Sequence, residues 1–222
     1  LSIGRVQTPT LSMIVKRRRE IDAFVPKLFY TVRADFGDYQ GVYIDKKGER
    51  KLETEEAAQQ IARRVSGQTA QVTQSTKEHK SVWPPLLYDL TTLQREANRE
   101  LGFTAQQTLD YLQALYEKRL VTYPRTDSRY LTDGMAAAVP ELVSVVSKLL
   151  EVDAPASINV AQVCDSSKVT DHHAVVPTQS AVNINLASLP DGEAAVLRLV
   201  CRQLLCAVSA PFTYAETTIE AE

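Results

Sequence analysis

The spacing of hydrophobic and polar positions divides the first part of the chain into alternating helical and strand-like stretches. Residues 10–21 show helical spacing, and residues 29–43 then alternate with the period of two that is typical of strands. Residues 54–65 return to a helical pattern, and residues 70–75 predict one more short strand. The pattern therefore predicts a strand-rich unit with one helix over residues 23–80.

A polar stretch, Lys77–Pro85, follows this unit and ends in Trp83-Pro84-Pro85. Proline lacks a backbone N–H and disturbs both helices and central strands. The stretch is therefore predicted to be a connector, and it is a candidate domain boundary or hinge.

Helical patterns dominate after the connector. A run that begins at Leu90 is ended by Gly102, and Thr104 with Gln107 predicts a capping box for the next helix. That helix leads to the loop around Tyr123, and its predicted buried stripe consists of Leu109, Leu112, Leu115 and Tyr116.

The last third of the chain returns from helices to a strand. Helices are predicted near 133–150 and from Pro190 onward, and residues 151–168 form a loop-rich stretch between them. Residues 212–222 alternate again, which predicts a strand that rejoins the first sheet. With that pairing, the helical unit is an insertion in the strand-rich unit.

Composition limits the class of protein. The chain has 222 residues, 44% hydrophobic and 23% charged, with a net charge of −2, which is ordinary for a globular protein of one large or two modest domains. No run reaches the ~18 apolar residues of a membrane span.

Three cysteines without a Cys-x-x-Cys pair indicate a reducing, cytosolic setting. The chain begins at Leu1 without methionine and ends inside a predicted strand, so we expect it to be a piece of a longer protein.

The net charge argues against a dedicated non-specific DNA-binding protein, which is usually basic. The distribution of charge is more informative, because Arg5 and the cluster Lys16–Arg19 place five positive charges before the first acid, Glu20. The cluster is either a solvated helix face or a phosphate contact.

A polar stretch around Tyr123 carries the strongest candidate chemistry. Pro124 favours an extended backbone at Tyr123, and in an extended segment Arg125 lies on the same side as the tyrosine. A guanidinium there can stabilise a phenolate and hold a phosphate oxygen. The residues that follow are short and polar, and they can cap the next turn or donate to phosphate: Thr126, Asp127 and Ser128. On local chemistry alone, Tyr123 is either a nucleophile or a loop tyrosine beside a surface arginine.

Four ordered motifs resemble the type IA DNA topoisomerases, and most of all their topoisomerase III branch. Two of them lie around the candidate tyrosine: Tyr88–Gln94, and the run formed by Leu115–Glu117 together with Thr122–Ser128. Gly4–Thr10 near the start of the chain and Asp171–Thr178 further on match two more motifs in the expected order.

The resemblance implies a mixed α and β, multidomain fold. In that family a strand-rich arch domain carries an inserted all-helical domain with the catalytic tyrosine, as part of a toroid. The implied divisions are a helix of the DNA-binding domain, the first part of the arch, the helical tyrosine domain, and a helix and strand that return to the arch: residues 1–22, 23–80, 81–189 and 190–222.

The resemblance also implies the chemistry. Tyr123 would attack a backbone phosphate of single-stranded DNA, with Arg125 and His172 as the other catalytic residues. The 5′-phosphotyrosine bond retains the energy of the broken ester, so that ATP is not needed for religation after strand passage. The implied DNA-binding residues are Arg5, Gln7, Thr126, Asp127, Ser128, His173 and Thr178.

Two other interpretations of these residues remain open. The first is a non-catalytic module that binds single-stranded DNA, with Tyr123 stacked on a base. The second is a metal-dependent phosphoesterase, because Asp171-His172-His173 matches a short signature of such enzymes. The phosphoesterase needs several further ligands, and the only other histidine is His79.

Several parts of the family pattern are missing from the sequence. By resemblance, Mg²⁺ is bound by an acidic cluster in a Toprim domain, which we expect to precede Leu1, and no metal ligand is predicted within this sequence. The other half of the DNA-binding domain is expected after Glu222. The expected partners are single-stranded DNA and these domains of the same polypeptide, with no membrane. The expected location is the cytoplasm, in association with the nucleoid, and the chain alone is expected to be inactive.

Overall fold

The structure is a computed structural model that describes residues 4–222, apart from the side chain of Asn183. The chain divides into two compact units. One contains the described residues up to Thr73 together with Glu220–Glu222, and the other contains Gln74–Ile219.

The first unit consists of two helices and a small antiparallel sheet. Its elements are α1 (Gln7–Asp22), β1 (Arg33–Asp35), β2 (Gln40–Val42) and α2 (Glu55–Val65). Strands β1 and β2 are paired with Ala34 opposite Gly41, and the side chain of Thr54 caps α2 by accepting the backbone N–H of Ala57. None of the described residues from 4 to 73 is buried, so this unit has no buried core of its own.

A two-stranded ribbon is formed by β3 (Val72–Val82) and β4 (Phe212–Ala221). Beside it, Gln71 and Glu222 exchange two backbone hydrogen bonds of 2.8 and 2.9 Å. The prediction that the last segment forms a strand is confirmed. The strand pairs with β3, which begins within the predicted strand-rich unit of residues 23–80, and not with the β1–β2 sheet.

The prediction that residues 77–85 form a connector is wrong for its first six residues, because β3 continues to Val82. All of β3 is exposed except Thr76 and Lys80, which are half-buried. A strand that faces water on both sides needs no hydrophobic alternation, so its sequence resembles a polar linker. Trp83, directly after the strand, is exposed, and the hinge at Trp83-Pro84-Pro85 stays a prediction.

The second unit is a helical domain with one continuous core. Its helices are α3 (Leu90–Leu101), α4 (Ala105–Glu117), α5 (Val139–Leu150) and α6 (Asp191–Val208). The other three helices all pack against α6. The apolar residues that fill the interior include Leu93, Ala97, Leu112, Leu115, Val143, Val146, Val196, Leu197, Val200 and Leu204.

Local sequence signals explain where α3 and α4 begin and end. Asp89 and Thr104 each form a capping box at the start of their helix, the latter with Gln107 as predicted. Gly102 ends α3 in the left-handed conformation, with φ of 72°. The predicted bounds of both helices are confirmed.

A close approach between α6 and α4 depends on Gly192. A Cβ atom at this position would lie 2.4 Å from the Tyr111 ring, which is closer than any van der Waals contact allows. The absence of a side chain at Gly192 therefore lets the start of α6 pack directly on the tyrosine.

Two predictions of buried side chains are wrong. Tyr116 is 39% exposed and is not part of the α4 core stripe, whose buried members are Leu112 and Leu115. The helical pattern around Cys201 and Cys206 predicts that both are small core residues, but only Cys201 is buried and Cys206 is exposed. Both exposed residues lie at the edge of a helical stripe, where periodicity separates core from surface poorly.

Candidate active site around Tyr123

The loop that carries Tyr123 begins at a defined turn after α4. Arg119 adopts a left-handed conformation with φ of 60°, and its N–H donates to the carbonyl of Tyr116 over 2.8 Å. The N–H of Leu120 donates to the carbonyl of Leu115 over 2.9 Å, which completes a Schellman motif. The helix therefore ends abruptly, and the chain enters the interior at Leu120.

The loop then pairs with the segment that follows the two histidines. Val121 forms an antiparallel bridge with Pro177, and the N–H of Thr122 donates to the carbonyl of Val176 over 2.9 Å. The Thr122 hydroxyl donates to the carbonyl of Ala174 and accepts the N–H of Val176, both over 3.0 Å. Two motifs that are far apart in sequence thus meet side by side.

Tyr123 and His172 lie together as a result of this pairing. Their ring centroids are 4.4 Å apart with an angle of 45° between the planes. Tyr116 packs edge-on against the other side of the Tyr123 ring, with centroids 5.5 Å apart. Tyr123 is half-buried and His172 is exposed, so the pair can contact a ligand from solvent.

Arg125 is exposed and is held against α4. Its Nη1 donates to Oε1 of Gln113 over 3.2 Å, and Nε2 of Gln113 donates to Oε1 of Glu117 over 3.0 Å. The prediction that Arg125 acts on the same phosphate as Tyr123 stays a prediction. Sequence reasoning missed Gln113, although its spacing of four from Glu117 is a recognisable helical pair.

Thr126 and Ser128 are buried, with exposed fractions of 8% and 5%. The Thr126 hydroxyl donates to the carbonyl of His172 over 2.8 Å and accepts the N–H of Ser128 over 3.1 Å. The Ser128 hydroxyl donates to the carbonyl of Lys168 over 2.9 Å. Asp127, between them, is exposed and accepts a longer bond from Thr170.

His173 and Thr178 also have partners within the loop cluster, and both are half-buried. Nδ1 of His173 lies 2.9 Å from the carbonyl oxygen of Ala174. The Thr178 hydroxyl donates to the carbonyl of Arg119, at the turn that ends α4. The Thr178 contact links two distant segments, whereas the His173 contact is with its neighbour in sequence.

Arg5 and Gln7 belong to the first unit, at the start of α1, and both are exposed. Within the same helix, Arg17 pairs with Glu20 over 2.8 Å and Arg18 with Asp22 over 3.0 Å. These intrahelical pairs fit a solvated helix face, and they are readily exchanged for phosphate.

Positive charge borders the Tyr123 loop. The Lys168 amine donates a hydrogen bond to the Asp165 carboxylate over 2.9 Å, and this bond together with one to Tyr130 raises the pKa of Lys168, which therefore stays protonated. Across residues 4–222 the structure contains no group of three acidic, histidine or cysteine side chains that could bind a metal ion. None of the described helices is long and apolar enough to cross a membrane.

Comparison with known proteins identifies the class of protein to which this fold and the loops around Tyr123 and His172 belong. The whole chain, residues 1–222, matches the sequence model of the family described as DNA topoisomerase, and the chain belongs to this family. The resemblance found in its four motifs is thereby confirmed.

Individual relatives indicate which branch of the topoisomerase family the chain resembles. DNA topoisomerase 3 of Bacillus subtilis is 38% identical over 235 residues, which cover 100% of this chain and 31% of the relative. DNA topoisomerase 3 of Bacillus cereus is 35% identical, covering 99% of this chain and 31% of the relative. The chain thus spans about a third of the length of the curated relatives it matches, and it is topoisomerase III-like.

A solved structure confirms the predicted fold class. Full-length topoisomerase I from Thermotoga maritima superposes with a TM-score of 0.71 and 26% sequence identity, covering 99% of this chain and 36% of that one. The predicted domain boundaries and site residues remain to be tested by experiment.

Proposed function

We propose that this chain carries the DNA-cleaving tyrosine of an ATP-independent type IA DNA topoisomerase, with Tyr123 as the nucleophile. The proposal rests on the contact between the rings of Tyr123 and His172, 4.4 Å apart at an accessible surface, in a chain of this family. Neither residue belongs to the buried core.

The proposed reaction exchanges one phosphate ester for another. The phenol oxygen of Tyr123 attacks the phosphorus of a DNA backbone phosphate, the bond to the 3′-oxygen breaks, and a proton passes to that oxygen. The 5′ end of the broken strand stays bonded to the tyrosine, and attack by the 3′-hydroxyl reverses the step after strand passage. Little free energy is lost, so ATP is not required for religation.

Arg125 and His172 are proposed to act on the charge that develops on the phosphate. The imidazole of His172 packs against the nucleophile and can donate a hydrogen bond or transfer a proton. The Arg125 guanidinium is bonded to a neutral amide at an exposed position, so it can exchange that bond for a stronger one to a phosphate oxygen.

DNA is the proposed substrate. Asp127 is an exposed candidate contact in the second unit, and Arg5 and Gln7 are exposed candidate contacts in the first. We propose that Mg²⁺ is bound by a Toprim domain outside this sequence, because the chain belongs to this family and spans only about a third of the length of its curated relatives. Relaxation and decatenation in the cytoplasm, at the nucleoid, are the proposed activities of the complete enzyme.

The test uses the complete polypeptide that contains this sequence, Mg²⁺ and a single-stranded oligonucleotide, with detergent to trap the covalent adduct. A 3′-end label should stay on the protein and a 5′-end label should be released, because the bond forms on the 5′ side of the break. Tyr123→Phe should abolish the adduct, since phenylalanine has no oxygen to attack with.

The matched control is Tyr111→Phe, which removes the same hydroxyl from a half-buried tyrosine that packs on Phe103. This variant should form the adduct normally. An adduct that persists in Tyr123→Phe would move the nucleophile elsewhere. DNA binding without an adduct in any variant would favour a non-catalytic module that binds single-stranded DNA.

A further inference from the structure

We propose that Thr126 is a positioning residue that fixes His172 against Tyr123, and that it does not contact DNA. This inference rests on the proposed function of Tyr123. It is carried by the two hydrogen bonds of a buried hydroxyl that joins the tyrosine loop to the histidine segment.

The hydroxyl of Thr126 has no capacity left for a phosphate. It donates its proton to the carbonyl of His172 over 2.8 Å and accepts the N–H of Ser128 over 3.1 Å. The residue is 8% exposed, so a DNA strand at the surface cannot reach it without displacing the loop. Leaving a buried hydroxyl and its backbone partners without hydrogen bonds is unfavourable, which opposes that displacement.

The bond acts on His172, whose ring contacts the ring of Tyr123. His172 is exposed, and its ring contacts the Tyr123 ring, so the backbone of His172 must be held in place for this contact to persist. Its position depends on its backbone, and the carbonyl of that backbone is held by Thr126. The carbonyl of Thr126 in turn accepts the N–H of Leu90 over 3.2 Å, which fixes the threonine to the start of α3.

A second threonine holds the same segment further along. Thr122 binds Ala174 and Val176 through its hydroxyl, each over 3.0 Å. Tyr123 therefore lies between two threonines, which hold the histidine segment at two points, and only one of these points is His172 itself. Loss of the Thr126 bond would free His172 while leaving the rest of the pairing in place.

The experiment measures single-turnover cleavage and equilibrium binding of single-stranded DNA by the complete polypeptide with Mg²⁺. Thr126→Val keeps the shape of the side chain and removes both hydrogen bonds. We expect the cleavage rate to fall roughly 10- to 100-fold, because small displacements of a catalytic group have effects of that size. The dissociation constant for DNA should be unchanged.

The decisive comparison is a double-mutant cycle with His172→Ala. If Thr126 acts through His172, Thr126→Val should slow the His172→Ala enzyme no further. Fully additive losses would overturn the proposal, as would weaker DNA binding with an unchanged cleavage rate, which would make Thr126 a DNA contact.

Two further variants separate this role from stability. Thr108→Val is the matched control, because Thr108 is a buried threonine whose hydroxyl donates to a backbone carbonyl over 3.0 Å within α4. It should lower the melting temperature and leave cleavage unchanged. If Thr126→Val does not fold, Thr126→Cys keeps the volume and a weak donor, and it should show the same coupling to His172 with a smaller loss.

The outcomes distinguish this inference from the proposed function. An adduct that survives Tyr123→Phe would reject the assignment of the nucleophile whatever Thr126 does. An adduct that depends on Tyr123, with losses from Thr126→Val and His172→Ala that simply add, would reject only the role of Thr126.

Discussion

At the residue scale, the polar side chains of the Tyr123 loop divide into an inner and an outer set. Thr122, Thr126 and Ser128 direct their hydroxyls to backbone groups of the facing segments. Arg125 and His172 stay exposed and can meet a ligand. The inner set fixes the loop, and the outer set is available for chemistry.

The effect of burial on the pKa of a side chain can be tested at Tyr88, which is not one of the proposed catalytic residues. Burial in the core, with the carboxylate of Glu96 nearby, raises the pKa of Tyr88 from 10.0 to about 12. In the unfolded chain the phenol ionises first, near pH 10, whereas the folded protein keeps its proton until about pH 12. The free energy of unfolding should therefore be independent of this group below pH ~10 and fall between pH ~10 and ~12.

The measurement is urea unfolding at about pH 8 and about pH 11, for the protein and for Tyr88→Phe. The variant lacks the titrating group, so its free energy of unfolding should fall less over this range than that of the parent. Equal falls in the two proteins would contradict the assignment to Tyr88.

At the element scale, capping interactions determine where helices α3 and α4 begin and end. The capping boxes at Asp89 and Thr104 fix the starts of α3 and α4, and left-handed residues end both helices. The second of these is Arg119, which is not glycine and therefore adopts a conformation that L-residues disfavour. The Schellman bonds and the Thr178 hydroxyl hold it there, directly before the Tyr123 loop.

Gly102→Ala should destabilise the protein by about 1 kcal/mol or more, because alanine is strained at a φ of 72°. No atom lies within 4 Å of the added Cβ, so the cost comes from the backbone alone. Gly134→Ala is the matched control: its φ is not left-handed, and its nearest neighbour is an oxygen of Thr132 at 4.0 Å. Chemical denaturation of both variants gives the comparison, and equal effects would refute the argument.

At the scale of the whole molecule, burial is distributed unevenly. The core lies in Gln74–Ile219, and none of the described residues from 4 to 73 is buried. Helix α2 has a side-chain cap at Thr54, yet it contributes no residue to a core. Most helical stability comes from packing of an apolar face, so the two units should differ in local stability.

Hydrogen exchange on the isolated chain measures this difference. The amides of α4 and α6 should be the slowest to exchange, because the core opens only with global unfolding. Those of α1 and α2 should exchange orders of magnitude faster. Protection in α2 equal to that in α6 would show that the first unit is stabilised by contacts other than a buried core.

Sequence determined most of what depends on neighbours along the chain. Periodicity and capping signals predicted the α3 run and its end at Gly102, the capping box at the start of α4, the helix from Asp191 and the strand near residue 212. These are local effects with a spacing of three to five residues, so a sequence displays them directly. The motifs likewise indicated Tyr123 and His172, because each lies in a short run of residues that is recognisable by itself.

Tertiary structure alone decided which polar groups face outward. Thr126 and Ser128 have the composition of DNA contacts, yet their hydroxyls bind backbone carbonyls that come from a distant segment. The contact of Gln113 with Arg125, the exposure of Tyr116 and the extension of β3 to Val82 depend in the same way on non-local neighbours. Local preferences are encoded in adjacent residues, whereas burial and hydrogen-bond partners are set only when distant segments pack together.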